Sequence, residues 1–361
     1  MPLLSISDES LRQAAAVLSQ GGLVAFPTET VYGLGGDAFN PIAIAKIFEV
    51  KSRPRFDPLI VHIAALEALE TIADLSLLDS AMRKRLSVLT ETFWPGPLTL
   101  ILPKQKTVPD LATSGLPTVA VRLPGHDAAR QLIARSTGAV AAPSANPFGY
   151  LSPTRAEHVL EMLGGKADLI LNGGPSQVGV ESTVLDICGG QPRILRPGGV
   201  SAEAIEAQIG PVASGPAGGE INSPGLLKNH YAPRIPLLAH TREDLLCLPD
   251  EAGSAFLFFD GASRNAWLSG QEGQQTAGLQ AAAIEILSET GNAHEAAARL
   301  FETLHELDRP GITRIHAQLA PEENLGAAIN DRLRRAAFQD SYSLSYPSQK
   351  SIIMPVRESS I

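Results

Sequence analysis

Cysteine is almost absent from this sequence. Among 361 residues only Cys188 and Cys247 are cysteines, and their wide separation lacks the partner spacing of a zinc site. We therefore expect two reduced thiols in a cytoplasmic protein, without a disulfide framework.

Long apolar runs are also missing. No stretch approaches the roughly 20 apolar residues that span a bilayer, and the first 22 residues lack the basic and apolar segments of a signal peptide. Their apolar positions Leu11, Ala15 and Leu18 instead predict a short helix that begins at Ser7 or Asp8. We expect no membrane association.

Charge is scarce and mostly negative. Charged residues make up 19% of the chain, the net charge is −9 and the pI is near 5.4. This balance argues against a protein that coats nucleic acid, and no stable nucleic-acid binding is expected. It remains compatible with a local basic cleft for a small phosphorylated ligand.

Short strand patterns alternate with helical patterns over residues 1–210, which predicts an α/β domain with a covered sheet. Strands are expected in GGLVAFPT, PLIVHIA, GPLTLILP, TVAVRLP, GAVAAPSAN, LILNGG and STVLDI, and helices over 40–50, 64–73, 77–91, 125–137 and 154–163.

A second α/β pattern follows an irregular segment. Residues 211–236 are rich in Pro and Gly and predict a linker. Residues 237–340 predict a smaller Rossmann-like domain, with strands in SAFLFFD and ITRIHAQL and helices over 274–288, 292–307 and 323–337. The Ser-rich tail, 341–361, is expected to be frayed.

The usual motifs of hydrolases and P-loop proteins are missing as well. The sequence contains no HExxH, GxSxG, SxxK, paired CxxC or GK[ST] element. No metal-ligand set is predicted. Catalysis by positioning and charge neutralisation is therefore favoured over catalysis by a side-chain nucleophile.

Five segments are rich in hydroxyls and cations. They are PTETVYGLGG at 27–36, KSRPRFDPL at 51–59, TVAVRLP at 118–124, AAPSANP at 141–147 with SPT at 152–154, and ESTV at 181–184 with RILRPG at 193–198. Ordinary alternatives exist for each: a capped turn, cations that compensate a helix dipole, a solvated strand face. Their combination favours an anion-binding cleft.

In this order the segments resemble the threonylcarbamoyl-AMP synthase family, which is built on the YrdC-like domain. The residues that carry the resemblance are FPTETVYGLG (26–35), KSRPRFDPL (51–59), FWPGPLTLIL (93–102), VAVRLP (119–124), APSAN (142–146), ESTVLD (181–186) and ILRPG (194–198). SPGLLKNHYAPRIP in the linker and AINDRLRRAA at 328–337 are similar to the long form of the family, which has an appended Rossmann-like domain.

The resemblance implies a twisted mixed sheet with helices around a concave polar cavity. It implies that L-threonine is bound by Thr30, His62, Arg122, Ala142 and Ser182. It implies that ATP is bound by Lys51, Arg53, Asp57, Thr118, Ser144, Asn146, Ser152, Arg196 and Tyr231, with Lys51 and Arg53 as the catalytic cations. The family usually has Asn at the position of Asp57, and a carboxylate there would repel a triphosphate unless it paired with Arg53, Arg55 or Mg²⁺.

The implied reaction joins L-threonine, bicarbonate or CO₂, and ATP into threonylcarbamoyl-AMP and pyrophosphate, with Mg²⁺ accompanying ATP. The product would pass to partner proteins that modify the adenosine beside the tRNA anticodon. Lys228, His230 and Tyr231 would form a lid that excludes water. An RNA-binding module and a carbamoyltransferase-type maturation enzyme remain as alternatives.

Overall fold

The computed structural model describes residues 2–215, 230–271 and 280–337. Lys228 of the expected lid and the expected tail at 341–361 lie outside these ranges. Within them, no helix has both the length and the apolar character needed to cross a bilayer.

The first sheet is mixed, as the resemblance implied. It runs in the order β1-β8-β2-β3-β7-β4-β6-β5-β9-β10-β11. Its described strands are β1 (Leu3–Ser5), β2 (Val24–Phe26), β3 (Gly33–Asp37), β4 (Ile60–Ile63), β5 (Leu98–Pro103), β6 (Thr118–Arg122), β7 (Ala139–Ala141), β8 (Leu169–Asn172), β9 (Thr183–Asp186), β10 (Arg193–Arg196) and β11 (Ala213–Ser214).

Helices cover this sheet, and one lies in each predicted range, whereas the helices at 110–113 and 202–209 were not predicted. They are α1 (Asp8–Ser19), α2 (Pro41–Lys51), α3 (Leu69–Ile72), α4 (Ser80–Phe93), α5 (Asp110–Thr113), α6 (Asp127–Arg135), α7 (Ala156–Leu163) and α8 (Ala202–Ile209). The predicted start of α1 is confirmed, because Ser7 and Ser10 form a reciprocal capping box.

The second sheet is parallel, in the order β12-β15-β13-β14. Its strands are β12 (Leu237–His240), β13 (Ser254–Asp260), β14 (Ala283–Ser288) and β15 (Arg314–Gln318), and its helices are α9 (Arg242–Leu246), α10 (Gly261–Gln271), α11 (Ala293–Leu307) and α12 (Gly326–Ala337). Parallel strands with helical crossovers give the Rossmann-like arrangement that the sequence predicted.

The predicted helix over 274–288 is wrong where the structure describes it, because residues 283–288 form strand β14. The alanine-rich start of this segment favours a helix locally. Pairing with the buried strand β13, from Ala255 opposite Ala283 onward, overrides that preference.

The two sheet domains share one apolar cluster. Val31, Leu151 and Val180 of the first domain pack in the same cluster as Phe301 and Leu333 of the second. Gly179 marks the close approach, since a Cβ there would lie 2.4 Å from the carbonyl oxygen of Ala297. The domains are therefore joined by a packed interface.

Polar groups also cross this interface. Arg155 Nε donates to Glu302 Oε1 at 2.6 Å, Tyr150 donates its hydroxyl proton to Asp308, and the ring of His158 stacks on that of His305 at 4.0 Å. These contacts fix the second domain against the loop that follows β7.

Asn40 is the N-cap of α2, the helix that carries Lys51 at its end. Its Oδ1 accepts hydrogen bonds from the backbone of Ile42 at 2.9 Å and of Ala43 at 3.4 Å. We expect Asn40→Ala to lower the free energy of unfolding by about 1 kcal/mol, measured by urea denaturation. Ile42→Ala, at an exposed position of the same turn, is the control. Equal losses in the two variants would contradict the capping role.

Candidate functional site

A cavity lies beside strands β2, β4 and β6. It is lined by Thr28, Thr30, Val31, Gly33, Arg53, Pro58, Ile60, His62, Arg122, Ala142, Pro143, Ser144, Glu181, Ser182, Arg196, His230 and Tyr231. The space in which the centre of a water-sized sphere can move inside this cavity is about 50 Å³. Since about 10–15 Å³ on this measure holds one water, the cavity suits a molecule of amino-acid size.

Arg122 forms one wall of the cavity and is held from three sides. It lies on β6 opposite His62 of the neighbouring strand β4. Nη1 donates to Thr30 Oγ1 at 2.9 Å, Nη2 to Glu29 Oε1 at 2.6 Å and Nε to the carbonyl of Gly96 at 3.2 Å. A guanidinium has five donors, so two remain for a ligand carboxylate.

Glu29 supplies the counter-charge of Arg122. Burial opposes the charge of this carboxylate, but the Arg122 guanidinium and the backbone amide of Gly125 outweigh it, so the pKa of Glu29 lies below its ordinary value. Glu29 lies in a turn at residues 28–31. Thr28 fixes this turn, because its hydroxyl lies 2.6 Å from the carbonyl of Val31 and 2.8 Å from Thr30 Oγ1. Arg122 and Thr30 therefore face the cavity in one defined orientation.

His62 presents a neutral imidazole to the cavity. Burial, followed by the charge of Arg122, lowers its pKa to about 3. Its Nδ1 is buried and makes no hydrogen bond within the structure. Because the ring stays uncharged at neutral pH, it can accept or donate a hydrogen bond without repelling a substrate ammonium group.

Lys51 lies behind the cavity wall. Its Nζ donates to the carbonyls of Ser144, at 2.5 Å, and of Asn146, and lies 3.4 Å from Asn146 Oδ1. Burial and the nearby Arg53 hold the pKa of this amine well below its usual range. In this arrangement Lys51 fixes the loop at 144–146, and its predicted direct role in catalysis stays a prediction.

Arg53 lines the cavity and pairs with Asp57. Its Nη2 lies 2.9 Å from Asp57 Oδ2, and Nε and Nη2 donate to the carbonyls of Asp57 and Pro58. Asp57 is fully buried. The departure from the family pattern thus has a structural reason: this carboxylate neutralises Arg53 and orders the loop that carries it.

Arg196 and Ser182 form another part of the cavity wall. Arg196 Nη2 donates to the carbonyl of Ser182 at 2.9 Å, and Ser182 Oγ lies 2.7 Å from Thr99 Oγ1. The turn after Arg196 passes close to the backbone that precedes β9. A Cβ on Gly198 would lie 2.3 Å from the carbonyl oxygen of Glu181. Glycine is required there by space.

Residues 230–236, which we call the stem, lead into the second domain and border the cavity. His230 and Tyr231 are buried and both line it. Tyr231 has φ 65°, a left-handed conformation that is costly for a bulky side chain. Ala232 N donates to the carbonyl of Gly149 at 2.9 Å and anchors the stem.

The structure brings together most of the predicted site residues. All five residues assigned to threonine line the cavity: Thr30, His62, Arg122, Ala142 and Ser182. Of the residues assigned to ATP, Arg53, Ser144, Arg196 and Tyr231 line it as well. Asp57, Asn146 and Ser152 lie buried behind the wall. Thr118 lies at the start of β6, beside a separate small depression with Pro58 and Leu116.

Sequence reasoning missed three charged partners. Glu29 and Glu181 stand inside the quoted segments PTETVYGLGG and ESTV but received no role, and Arg332 stands inside AINDRLRRAA. Glu181 Oε2 accepts from Arg332 Nε at 2.7 Å, and Glu181 Oε1 accepts from the hydroxyl of Ser152. For Glu29 and Glu181 the available signal was a single charged residue inside a segment of small, apolar and hydroxyl residues, whereas Arg332 stands among other charged residues and gave no such signal.

The described ranges contain no group of three or more His, Cys, Asp or Glu placed to hold a metal ion. The carboxylates nearest the cavity, Asp57, Glu181 and Glu29, each pair with an arginine. These side chains therefore do not form a dedicated cation site.

Sequence comparison matches both domains. Residues 16–198 match the family model described as "Telomere recombination", and residues 200–338 match that described as "Threonylcarbamoyl-AMP synthase, C-terminal domain". This chain belongs to the threonylcarbamoyl-AMP synthase family.

Relatives extend over nearly the whole chain. A threonylcarbamoyl-AMP synthase of Pyrococcus abyssi is 40% identical over 92% of this chain and 95% of its own length. One of Bacillus subtilis is 41% identical over 92% of this chain and 94% of its own length. These alignments include the linker region and the second domain.

Two solved structures share the fold. P. abyssi Sua5 complexed with L-threonine superposes with a TM-score of 0.81 and 36% identity, over 93% of this chain and 98% of that one. A P. abyssi Sua5 variant with a His-to-Ala and a Tyr-to-Ala change superposes with a TM-score of 0.77 and 36% identity, over 93% and 97% of the two chains. The mixed sheet and the parallel sheet are thus those of the family.

The depressed pKa of His62 predicts a pH effect on stability. In the folded protein this ring stays neutral down to about pH 3, whereas in the unfolded chain it takes up a proton below about pH 6.5. Stability is therefore lost as the pH falls from 6.5 toward 3, by up to about 1.4 kcal/mol per pH unit for one such group.

His62→Gln should make the pH dependence of the free energy of unfolding shallower between pH 4.5 and 6. Urea titrations at several pH values measure it, and His294→Gln, which removes an exposed imidazole, controls for the loss of one histidine. A slope in His62→Gln identical to that of the wild type would contradict a neutral, buried His62.

Proposed function

We propose that this chain is an L-threonylcarbamoyladenylate synthase: it joins L-threonine, CO₂ or bicarbonate, and ATP into threonylcarbamoyl-AMP, with release of pyrophosphate. The observation that carries the proposal is the cavity of amino-acid size, with Arg122 and Thr30 on its wall, in a chain of this family. A full-length relative was solved with L-threonine.

Threonine would bind through its carboxylate to Arg122, which keeps two donors free of internal partners. Thr30 and Ser182 offer hydroxyls to the polar groups of the substrate, and His62 faces them as a neutral ring. Ala142 and Ile60 border the cavity with apolar surface, which suits the methyl group of the threonine side chain.

The chemistry needs no protein nucleophile. The threonine amine attacks CO₂ and loses a proton, which gives a carbamate. A carbamate oxygen then attacks the α-phosphorus of ATP while the bond to the β-phosphate oxygen breaks, so that pyrophosphate leaves. Arg53 and Arg196, both buried on the cavity wall, would stabilise the negative charge on the phosphates.

Mg²⁺ would enter with the triphosphate. Magnesium commonly keeps several waters and binds nucleotide phosphates with few protein ligands, which fits a cavity whose carboxylates are already paired with arginines. The residues of the chain would bind and orient the Mg²⁺–ATP complex. We place the reaction in the cytoplasm, upstream of proteins that transfer the threonylcarbamoyl group to tRNA.

Pyrophosphate release from ATP tests the proposed reaction. With purified protein, release should require threonine and bicarbonate together and stop on removal of Mg²⁺ by EDTA, and mass spectrometry should detect the adenylate. Release with ATP alone would identify a nucleotide hydrolase. Salt-sensitive binding of RNA without pyrophosphate release would favour an RNA-binding module.

Arg122→Lys should raise KM for threonine about 10- to 100-fold, because an ammonium cannot hold Thr30, Glu29 and a carboxylate in the planar pattern of a guanidinium. KM for ATP should change by less than about threefold. Arg130→Lys, on α6 and outside the cavity lining, is the matched control. An equal rise in both KM values would remove Arg122 from the threonine site.

A further inference from the structure

One arginine of the second domain reaches the wall of the cavity in the first. Arg332 lies on α12 and is fully enclosed, with 0% of its surface exposed. Its Nε donates to Glu181 Oε2 at 2.7 Å, and its Nη1 donates to the carbonyl of Pro197 at 2.9 Å and to Asp331 Oδ2 at 2.7 Å. The guanidinium thus binds two separate segments of the first domain.

Each partner of Arg332 in the first domain is next to a residue that faces the cavity. Glu181 lines the cavity itself and precedes Ser182, and Pro197 directly follows Arg196. The guanidinium carbon also lies 5.1 Å from the ring centre of Tyr231, within the range of a cation–π contact. Arg332 is therefore a common neighbour of two cavity walls and of the stem that closes them.

A second contact from the same domain supports Ser152, one of the residues that the family resemblance assigns to ATP. His305 on α11 lies with its Nε2 3.1 Å from the carbonyl oxygen of Ser152. The hydroxyl of Ser152 donates to Glu181 Oε1. Ser152 is thus held directly by His305 and, through Glu181, by Arg332.

Arg332 and Glu181 depend on each other for their charges. Burial opposes the charge of Glu181, but Arg332 and Arg196 outweigh it, and the pKa of this carboxyl lies below its ordinary value. Burial likewise opposes the charge of Arg332, but Tyr231, Glu181 and Asp331 outweigh it, so the pKa of the guanidinium is raised. Loss of one partner would leave an unpaired charge in the interior.

We propose that Arg332 is a positioning residue of the nucleotide site, through which the second domain holds Glu181, Pro197 and Tyr231 in the arrangement that binds ATP. This inference rests on the proposed function. It assigns to the second domain a direct part in nucleotide binding, in addition to the apolar packing that joins it to the first.

General docking of the domains is carried by other contacts as well. Arg155 and Glu302 form an ion pair across the interface, and neither residue lines the cavity. Glu302→Gln therefore removes an interdomain charge without touching the cavity wall. A comparison of Glu302→Gln with a variant of Arg332 therefore separates the effect of domain docking from the effect of positioning the nucleotide site.

The test is Arg332→Met, which keeps much of the side-chain length and removes its charge and donors. We expect KM for ATP in pyrophosphate release to rise about tenfold or more, with KM for threonine changed by less than about threefold. The threonine wall formed by Thr30, His62 and Arg122 makes no contact with Arg332 among the described hydrogen bonds. Arg332→Lys, which keeps one charged contact, should fall between Arg332→Met and the wild type.

Glu302→Gln should keep both KM values near those of the wild type. Circular dichroism and thermal melting establish that each variant is folded. If Arg332→Met does not fold, Glu181→Gln breaks the same pair from the first domain and must reproduce the rise in KM for ATP. In the double variant Arg332→Met/Glu181→Gln the two effects should be less than additive, because both changes remove one interaction.

A folded Arg332→Met with an unchanged KM for ATP would overturn the proposal, and so would additive effects in the double variant. Calorimetric titration of each protein with Mg²⁺–ATP alone gives a readout independent of the reaction. If the wild type bound ATP but made no adenylate, the proposed function would fail, and weaker ATP binding by Arg332→Met would still support the positioning role.

Discussion

Burial of arginine side chains is the constraint around which the cavity is built. A guanidinium removed from water keeps its charge and needs acceptors for its donors, so each must be surrounded by carboxylates or carbonyls. Arg53 has Asp57 at 2.9 Å, Arg122 has Glu29 at 2.6 Å, and Arg332 has Glu181 at 2.7 Å. The first pair orders a single loop, whereas the other two join distant segments of the chain, and the hydroxyls and backbone groups between them are placed as a result.

One cation of the lining, Arg196, lies outside these pairs and makes the cavity suited to anions. Every carboxylate close to the lining is matched by an arginine, and Arg196 binds only neutral groups of Ser182 among its described hydrogen bonds. The acidic net charge of −9 for the whole chain therefore does not describe the local potential. A chain that would repel a polyanion at long range presents a local surface suited to phosphates.

The fold could be predicted largely from the sequence because its elements carry strong local signals. Ser7 caps the helix that the sequence predicted to begin there, the helix predicted over 40–50 lies at 41–51, and the buried strand β13 follows from SAFLFFD. Strand β14 was mistaken for a helix, since its place beside β13 is determined by the sheet and not by its own residues.

The site was predictable in its composition and less so in its geometry. The motifs identified the cavity-lining Thr30, His62, Arg122 and Ser182. They could not show that Lys51 points at loop carbonyls, or that Glu181 pairs with a residue 151 positions later in the chain. Such pairings depend on how distant segments pack, and that information is absent from any single segment.

The small volume of the cavity has a thermodynamic consequence for large ligands. His230 and Tyr231 line the cavity together with Arg53 and Arg196, so the position of the stem determines the volume that is open to a nucleotide. The observed affinity for a nucleotide would then be its intrinsic affinity multiplied by the fraction of molecules in which the stem holds the arrangement that binds it. The left-handed conformation of Tyr231, φ 65°, costs free energy, so the contacts that hold it, with Arg332 among them, would contribute to nucleotide affinity by raising that fraction.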